Sequence, residues 1–99
     1  MSVNIDLYLD VKNLESPDEA DRVKTAVDSV MKDHGIESWM VVRVVHDSPS
    51  VTARSEPYPI IISGFGRWSP RFERDIDQAI HAIAPSARIA LDWGFPDEE

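Results

Sequence analysis

Residues 56–73 read EPYPIIISGFGRWSPRFE, a strand that runs straight into a helix. Ile60, Ile61 and Ile62 form an unbroken β-branched run, which fits a strand buried on both faces and therefore a central one. Gly64 and Gly66 loosen the chain behind it. Ser69 and Pro70 then have the pattern of an N-cap followed by proline at the first helical position. The remaining elements can be placed around this unit.

Upstream, Val3, Ile5, Leu7, Leu9 and Val11 alternate with Asn4, Asp6, Tyr8 and Asp10. That period of two predicts a strand with one buried and one polar face. Ser16-Pro17-Asp18-Glu19 follows as an N-cap, a first-turn proline and a glutamate placed for a capping box. Ala20, Val23, Val27, Val30 and Met31 recur at helical spacing, and Gly35 closes the helix beside His34, which suits the helix dipole when protonated. A valine-rich second strand is expected over Trp39–His46, followed by a long irregular stretch from Asp47 to Pro57. Within that stretch Val51-Thr52-Ala53-Arg54 is itself strand-like and can form an extended hairpin.

Downstream, Phe72, Ile76, Ala79, Ile80 and Ile83 make the buried stripe of a second helix that ends at Pro85. Ala87, Ile89, Leu91 and Trp93 alternate with Arg88, Ala90 and Asp92 in a last strand. The predicted order is β-α-β-β-α-β. This is the α+β, ferredoxin-like split βαβ arrangement, with two helices on one face of a four-stranded antiparallel sheet. One domain is expected over 1–99, because a chain of this size holds a single core.

The net charge of −8, from 18 acids against 10 bases, argues against a nucleic-acid or anionic-membrane binder and favours a basic partner. Without cysteine there is neither a disulfide framework nor a thiolate metal site. The first residues lack the basic start and apolar stretch of a signal peptide, and no apolar run is long enough to span a bilayer. Cytoplasm is the expected location.

No catalytic residue, metal site or cofactor is expected from the motifs. Gly64-Phe65-Gly66-Arg67-Trp68-Ser69 approaches a dinucleotide fingerprint but lacks its third glycine and a parallel βαβ unit. A bend before a tight turn explains the glycines better than an anion held by Arg67 and Arg71. His34, His46 and His81 share no ligand spacing, although His46-Asp47 has the makings of an acid/base pair. His81 lies off the apolar stripe and is expected in solvent.

The sheet face that the helices leave open is the main candidate site. Asp6, Tyr8 and Asp10 are assigned to it from the first strand, with Trp39, Val41 and Arg43 from the second. Ile61, Ser63 and Phe65 join from the third, and Arg88 and Asp92 from the fourth. Apolar residues ringed by charge are the anatomy of an interface, unless the long loop or the C-terminal tail caps them. Trp68, Trp93 and Phe95 fit core or rim packing. Yet the run Asp92-Trp93-Gly94-Phe95-Pro96-Asp97-Glu98-Glu99 also mixes aromatics and acids as a hot spot facing an Arg/Lys-rich partner does.

In size, charge and order of elements, the chain resembles small acidic immunity proteins of bacterial polymorphic-toxin and contact-dependent inhibition systems. Locally, Gly66-Arg67-Trp68-Ser69-Pro70 and the Asp92–Glu99 ending carry that likeness. It implies a stoichiometric, non-catalytic inhibitor that covers the active site of a basic toxin, often a nuclease. The expected partner-binding set is Asp6, Tyr8, Asp10, Arg43, Trp68, Asp92, Trp93, Phe95, Asp97, Glu98 and Glu99, on a monomer or weak homodimer. Two alternatives stand beside it. One is a dimeric α+β barrel enzyme of the small monooxygenase or isomerase type, with His46, Tyr8 or Arg43 in its pocket. The other is a regulatory module that binds a small molecule or dimerises.

Overall fold

The computed structural model describes residues 2–95. In chain order it contains β1 (Ser2–Lys12), α1 (Pro17–Asp33), a 3-10 turn (Glu37–Trp39), β2 (Met40–Val45), β3 (Ser50–Ser55), β4 (Ile60–Ser63), α2 (Phe65–Ile83) and β5 (Arg88–Gly94). The fold is α+β: two helices and an antiparallel sheet of five strands. β1 is its centre. Its residues Tyr8–Val11 pair with β3, Ser2–Ile5 pair with β4, and Asp6–Lys12 pair with β5. β2 closes the sheet by pairing with β3 alone.

Alternation on β1 sorts its side chains as the period of two predicts. Ile5, Leu7, Leu9 and Val11 are buried in one cluster with Val51 and Ala53 of β3. Ala20, Val23 and Val27 of α1 and Phe72, Ile76 and Ile80 of α2 complete that cluster, so both helices cover the same face. No helix among the described residues is long and apolar enough to cross a membrane.

α1 begins as its cap predicts. The Ser16 hydroxyl accepts from the Glu19 amide at 3.0 Å, and the Glu19 carboxylate accepts from the Glu15 amide, one residue before the cap. At the other end His34 is the C-cap and Gly35 takes a φ of +72°, the left-handed turn that glycine adopts without strain. Asn13, also left-handed, donates through Nδ2 to the Ser86 carbonyl and ties the two turns at one end of the sheet.

Four expectations are corrected. α2 starts at Phe65, not Ser69, with Gly64 as its N-cap at φ +70°. Both the Arg67 and Trp68 amides bond the Gly64 carbonyl, so Pro70 lies inside the helix and removes one bond to the carbonyl of Gly66. Packing explains the early start, because Phe65, Trp68 and Phe72 at i, i+3 and i+7 land on one face and meet Trp93. Secondly, the isoleucine strand is neither buried on both faces nor central: it pairs with β1 alone, Ile60 and Ile62 point inward, and Ile61 is 58 % exposed. Thirdly, Trp39 belongs to the 3-10 turn and packs on the core, so β2 begins at Met40. Finally, the stretch Asp47–Pro57 is not irregular throughout: as the strand-like Val51–Arg54 allows, Ser50–Ser55 is a full strand, hairpinned to β2 through residues 46–49 and inserted between β2 and β1.

Candidate functional site

The even positions of β1 share a face with no helix on it, and the register carries that face across the sheet. One row runs Arg43, Thr52, Asp10, Ala90; the next runs Val41, Arg54, Tyr8, Asp92. These two rows line a cleft of about 250 Å³ that includes Tyr8, Asp10, Arg43, Thr52, Arg54 and Asp92. Of the expected partner-binding set, Asp6, Tyr8, Asp10, Arg43 and Asp92 therefore come together on one surface.

Local contacts hold the cleft in shape. The Arg54 guanidinium lies over the Tyr8 ring, 5.2 Å from its centre. Glu56 reaches Arg43 at 3.4 Å and Arg54 at 3.6 Å, gathering both guanidinium groups at one side. Asp10 pairs with Lys12 at 3.3 Å. Asp6 accepts from the Ser55 hydroxyl, which itself accepts from the Leu7 amide. Gly94 sits opposite Asp6, and a Cβ there would come within 3.2 Å of the Asp6 Cβ, so glycine keeps this end of the face flat. Exposed pairs of this kind contribute little to stability. Their effect is to order the charges.

Charge across the face is mixed. Asp6, Asp10 and Asp92 stand on β1 and β5; Arg43 and Arg54 stand on β2 and β3, with Lys12 and Arg88 at one end. The acid excess lies elsewhere, since residues 13–37 carry seven acids against three bases.

Trp68 and Trp93 do not join the face. Both lie on the helix side. Trp68 stacks on the fully buried Phe72 at 4.9 Å, and Trp93 meets Phe65, Trp68 and Phe72 edge-on at 5.1 to 5.9 Å. The Trp93 indole donates to Glu73 at 2.8 Å. Phe95 is 40 % exposed and packs its edge against Phe65. Phe65 itself belongs to α2 and not to the third strand's open face. Asp97, Glu98 and Glu99 lie outside the described residues.

None of the three histidines is in the cleft. His34 accepts from the Trp68 indole at Nδ1 and faces Asp75 with Nε2 at 2.8 Å, so its proton sits on Nε2 in the neutral ring. His46 contacts Asp21 on α1 at 2.9 Å, not Asp47 as an acid/base pair requires. His81, expected in solvent, donates to the Ala87 carbonyl and lies 3.2 Å from Asp77. That carbonyl, then Asp77, raises its pKa above the ordinary imidazole value. Among the described residues no three His, Cys, Asp or Glu side chains are grouped to hold a metal ion.

Thr52, Arg54 and Ala90 complete the cleft; the strand-like reading of Val51–Arg54 holds, but Thr52 and Arg54 are not assigned to the open face because that reading does not place the stretch in the sheet. The signal was present, since Val51 and Ala53 alternate with Thr52 and Arg54. Compared with protein-family models, with curated proteins and with solved structures, the chain matches none.

Proposed function

We propose that this chain is a non-catalytic, cytoplasmic binding protein of the immunity type, which docks a basic protein partner on its open sheet face. The observation that carries the reading is the convergence of Tyr8, Asp10, Arg43 and Asp92 around a cleft that neither helix covers, with Asp6 on the same sheet face. The acidic half of the face, on β1 and β5, meets the partner's bases, and three further acids, Asp97–Glu99, follow β5 in the sequence. Tyr8 and Arg43 are of the residue types that anchor interfaces. Of the residues named for the barrel-enzyme alternative, Tyr8 and Arg43 line the cleft, while His46 lies away from it against Asp21.

A split βαβ reading of the sheet belongs with this proposal. β3 and β4 pair with successive segments of β1, which supports counting them as one strand interrupted at residues 56–59. The ladder then has four members in the order β5, β1, β3 with β4, β2.

The test uses the partner recovered from the native host and titrated in purified form. Asp92→Ala should weaken binding while leaving the melting temperature in place. Association should slow as salt rises past about 0.1 M, where the Debye length shrinks to about 10 Å. Binding that ignores both salt and Asp92 would refute the proposal.

A further inference from the structure

We infer that the open face is self-complementary and pairs reversibly with a second copy of this chain, so that self-association competes with partner binding. The inference rests on the binding-face reading above and specifies how that face is regulated.

The layout of charge carries it. Across the sheet the strands run β2, β3, β1, β5, with arginines on the first two and aspartates on the last two. Two such faces stacked about a twofold axis parallel to the strands, between β3 and β1, place the arginine half of each copy over the aspartate half of the other. An axis across the strands would stack β2 on β2 and set arginine against arginine, so charge selects the first arrangement. In it, Tyr8 of the second copy lies over Arg54, where a cation–π contact already forms within one chain.

Neighbouring strands are about 4.8 Å apart, so Arg43 reaches Asp10 of the second copy on its own row, one strand over. Arg54 reaches Asp92 of the second copy in the same way. Sheets packed face to face sit about 10 Å apart, within the combined reach of an arginine and an aspartate. At the end of the sheet, Lys12 and Arg88 of one copy come to rest over Ser50 and Val45 of the other, so no base opposes a base there. Glu56 holds the two guanidinium groups only at 3.4 and 3.6 Å, which leaves most of their donors for an incoming carboxylate.

Size fixes the strength. Four strands about 4.8 Å apart and about six residues long give a face of roughly 400 Å², hence roughly 800 Å² for the pair. Stable interfaces bury about 1,200–2,000 Å², so the dimer is a weak, concentration-dependent one. A partner with a larger footprint displaces it.

Sedimentation velocity from micromolar to millimolar protein tests the pairing. Near 0.1 M salt, where the −8 charge of each copy is screened beyond about 10 Å, a dimer should grow with concentration, and it should dissolve near 1 M salt, where the Debye length is about 3 Å. The double variants Arg43→Glu/Arg54→Glu and Asp10→Arg/Asp92→Arg should each weaken self-association at least about tenfold. An equimolar mixture of the two should restore a heterodimer, because the four contacts of residues 43 with 10 and 54 with 92 are attractive again. Should a reversed variant fail to fold, Arg54→Ala and Asp92→Ala read the same loss at smaller amplitude. A chain that stays monomeric at millimolar concentration near 0.1 M salt overturns the inference. So does a dimer that survives high salt and all these substitutions. If the chain is monomeric yet Asp92→Ala loses the partner, the inference fails and the binding-face reading stands. If it dimerises through the face and the partner binds without dissociating the dimer, the binding-face reading and the competition both fail, and only the pairing stands.

Discussion

Trp93 and Asp92 are adjacent on β5 and point to opposite sides of the sheet, which makes them a matched pair for one experiment. Trp93 is half-buried beneath α2, in contact with Phe65, Trp68 and Phe72. An aromatic side chain offers ~150–250 Å², so half-burial removes about 100 Å² from water and contributes about 2.5 kcal/mol at 25 cal/mol per Å². Edge-on ring contacts add about 0.5–1.5 kcal/mol, and the exposed bond to Glu73 adds little. Trp93→Ala should therefore cost about 3 kcal/mol and lower the melting temperature by about 12–24 °C for a chain of this length. Asp92→Ala, on the open face, should stay within about 0.5 kcal/mol of the parent. Urea unfolding followed by far-UV circular dichroism reads both, with the slope m held constant to show that the unfolded state is unchanged. A Trp93→Ala loss below about 1 kcal/mol, or an Asp92→Ala loss above it, would refute the assignment of the two faces.

Gly64→Ala places a Cβ in the left-handed region at φ +70°, where nothing crowds it, so only backbone strain is added. A loss of about 1–2 kcal/mol by the same urea assay is expected, and no loss would show that α2 does not begin there. His81 has its pKa raised chiefly by the Ala87 carbonyl and secondarily by Asp77, and it stands in the last turn of α2, where a positive charge is favoured. Its contribution is thus fully present below pH ~6.5 and is lost as pH rises through the raised folded value. Melting temperatures measured across this window should fall more steeply for the parent than for His81→Gln, and equal slopes would count against the contact.

The elements whose signals are local were legible. The Val3–Val11 alternation predicts both the strand and the open-face membership of Asp6, Tyr8 and Asp10, since each is the same statement about a period of two; that this strand is the centre of the sheet is set by its pairing with three others. Ser16 predicts the start of α1 because its hydroxyl does the capping. The start of α2 was hidden for the converse reason: Gly64 caps through backbone geometry alone, while Ser69-Pro70 offers a stronger motif that tertiary packing overrides. The isoleucine run misled because β-branched residues suit a strand whether one face or two are covered. Ile61 occupies the uncovered side. Trp93 was readable from its own parity, sharing the odd positions of Ile89 and Leu91, but its acidic neighbours drew it toward the interface.

On the proposed reading, the charge and the docking face are separated, which has a physical consequence. The molecule measures 41 × 23 × 22 Å, so the acids of α1 lie up to about two Debye lengths from the open face near 0.1 M salt. At that range their attraction for a basic partner is largely screened once docking begins. They act on the encounter from solution, together with the rest of the −8 charge. The fit at contact is governed instead by the short-range pattern on the face, where Asp10 and Asp92 stand beside Arg43, Arg54 and Tyr8. A uniformly basic partner would satisfy the aspartates and oppose both arginines. The partner best matched to this surface is therefore basic overall yet offers at least one acid where Arg43 and Arg54 converge on Glu56.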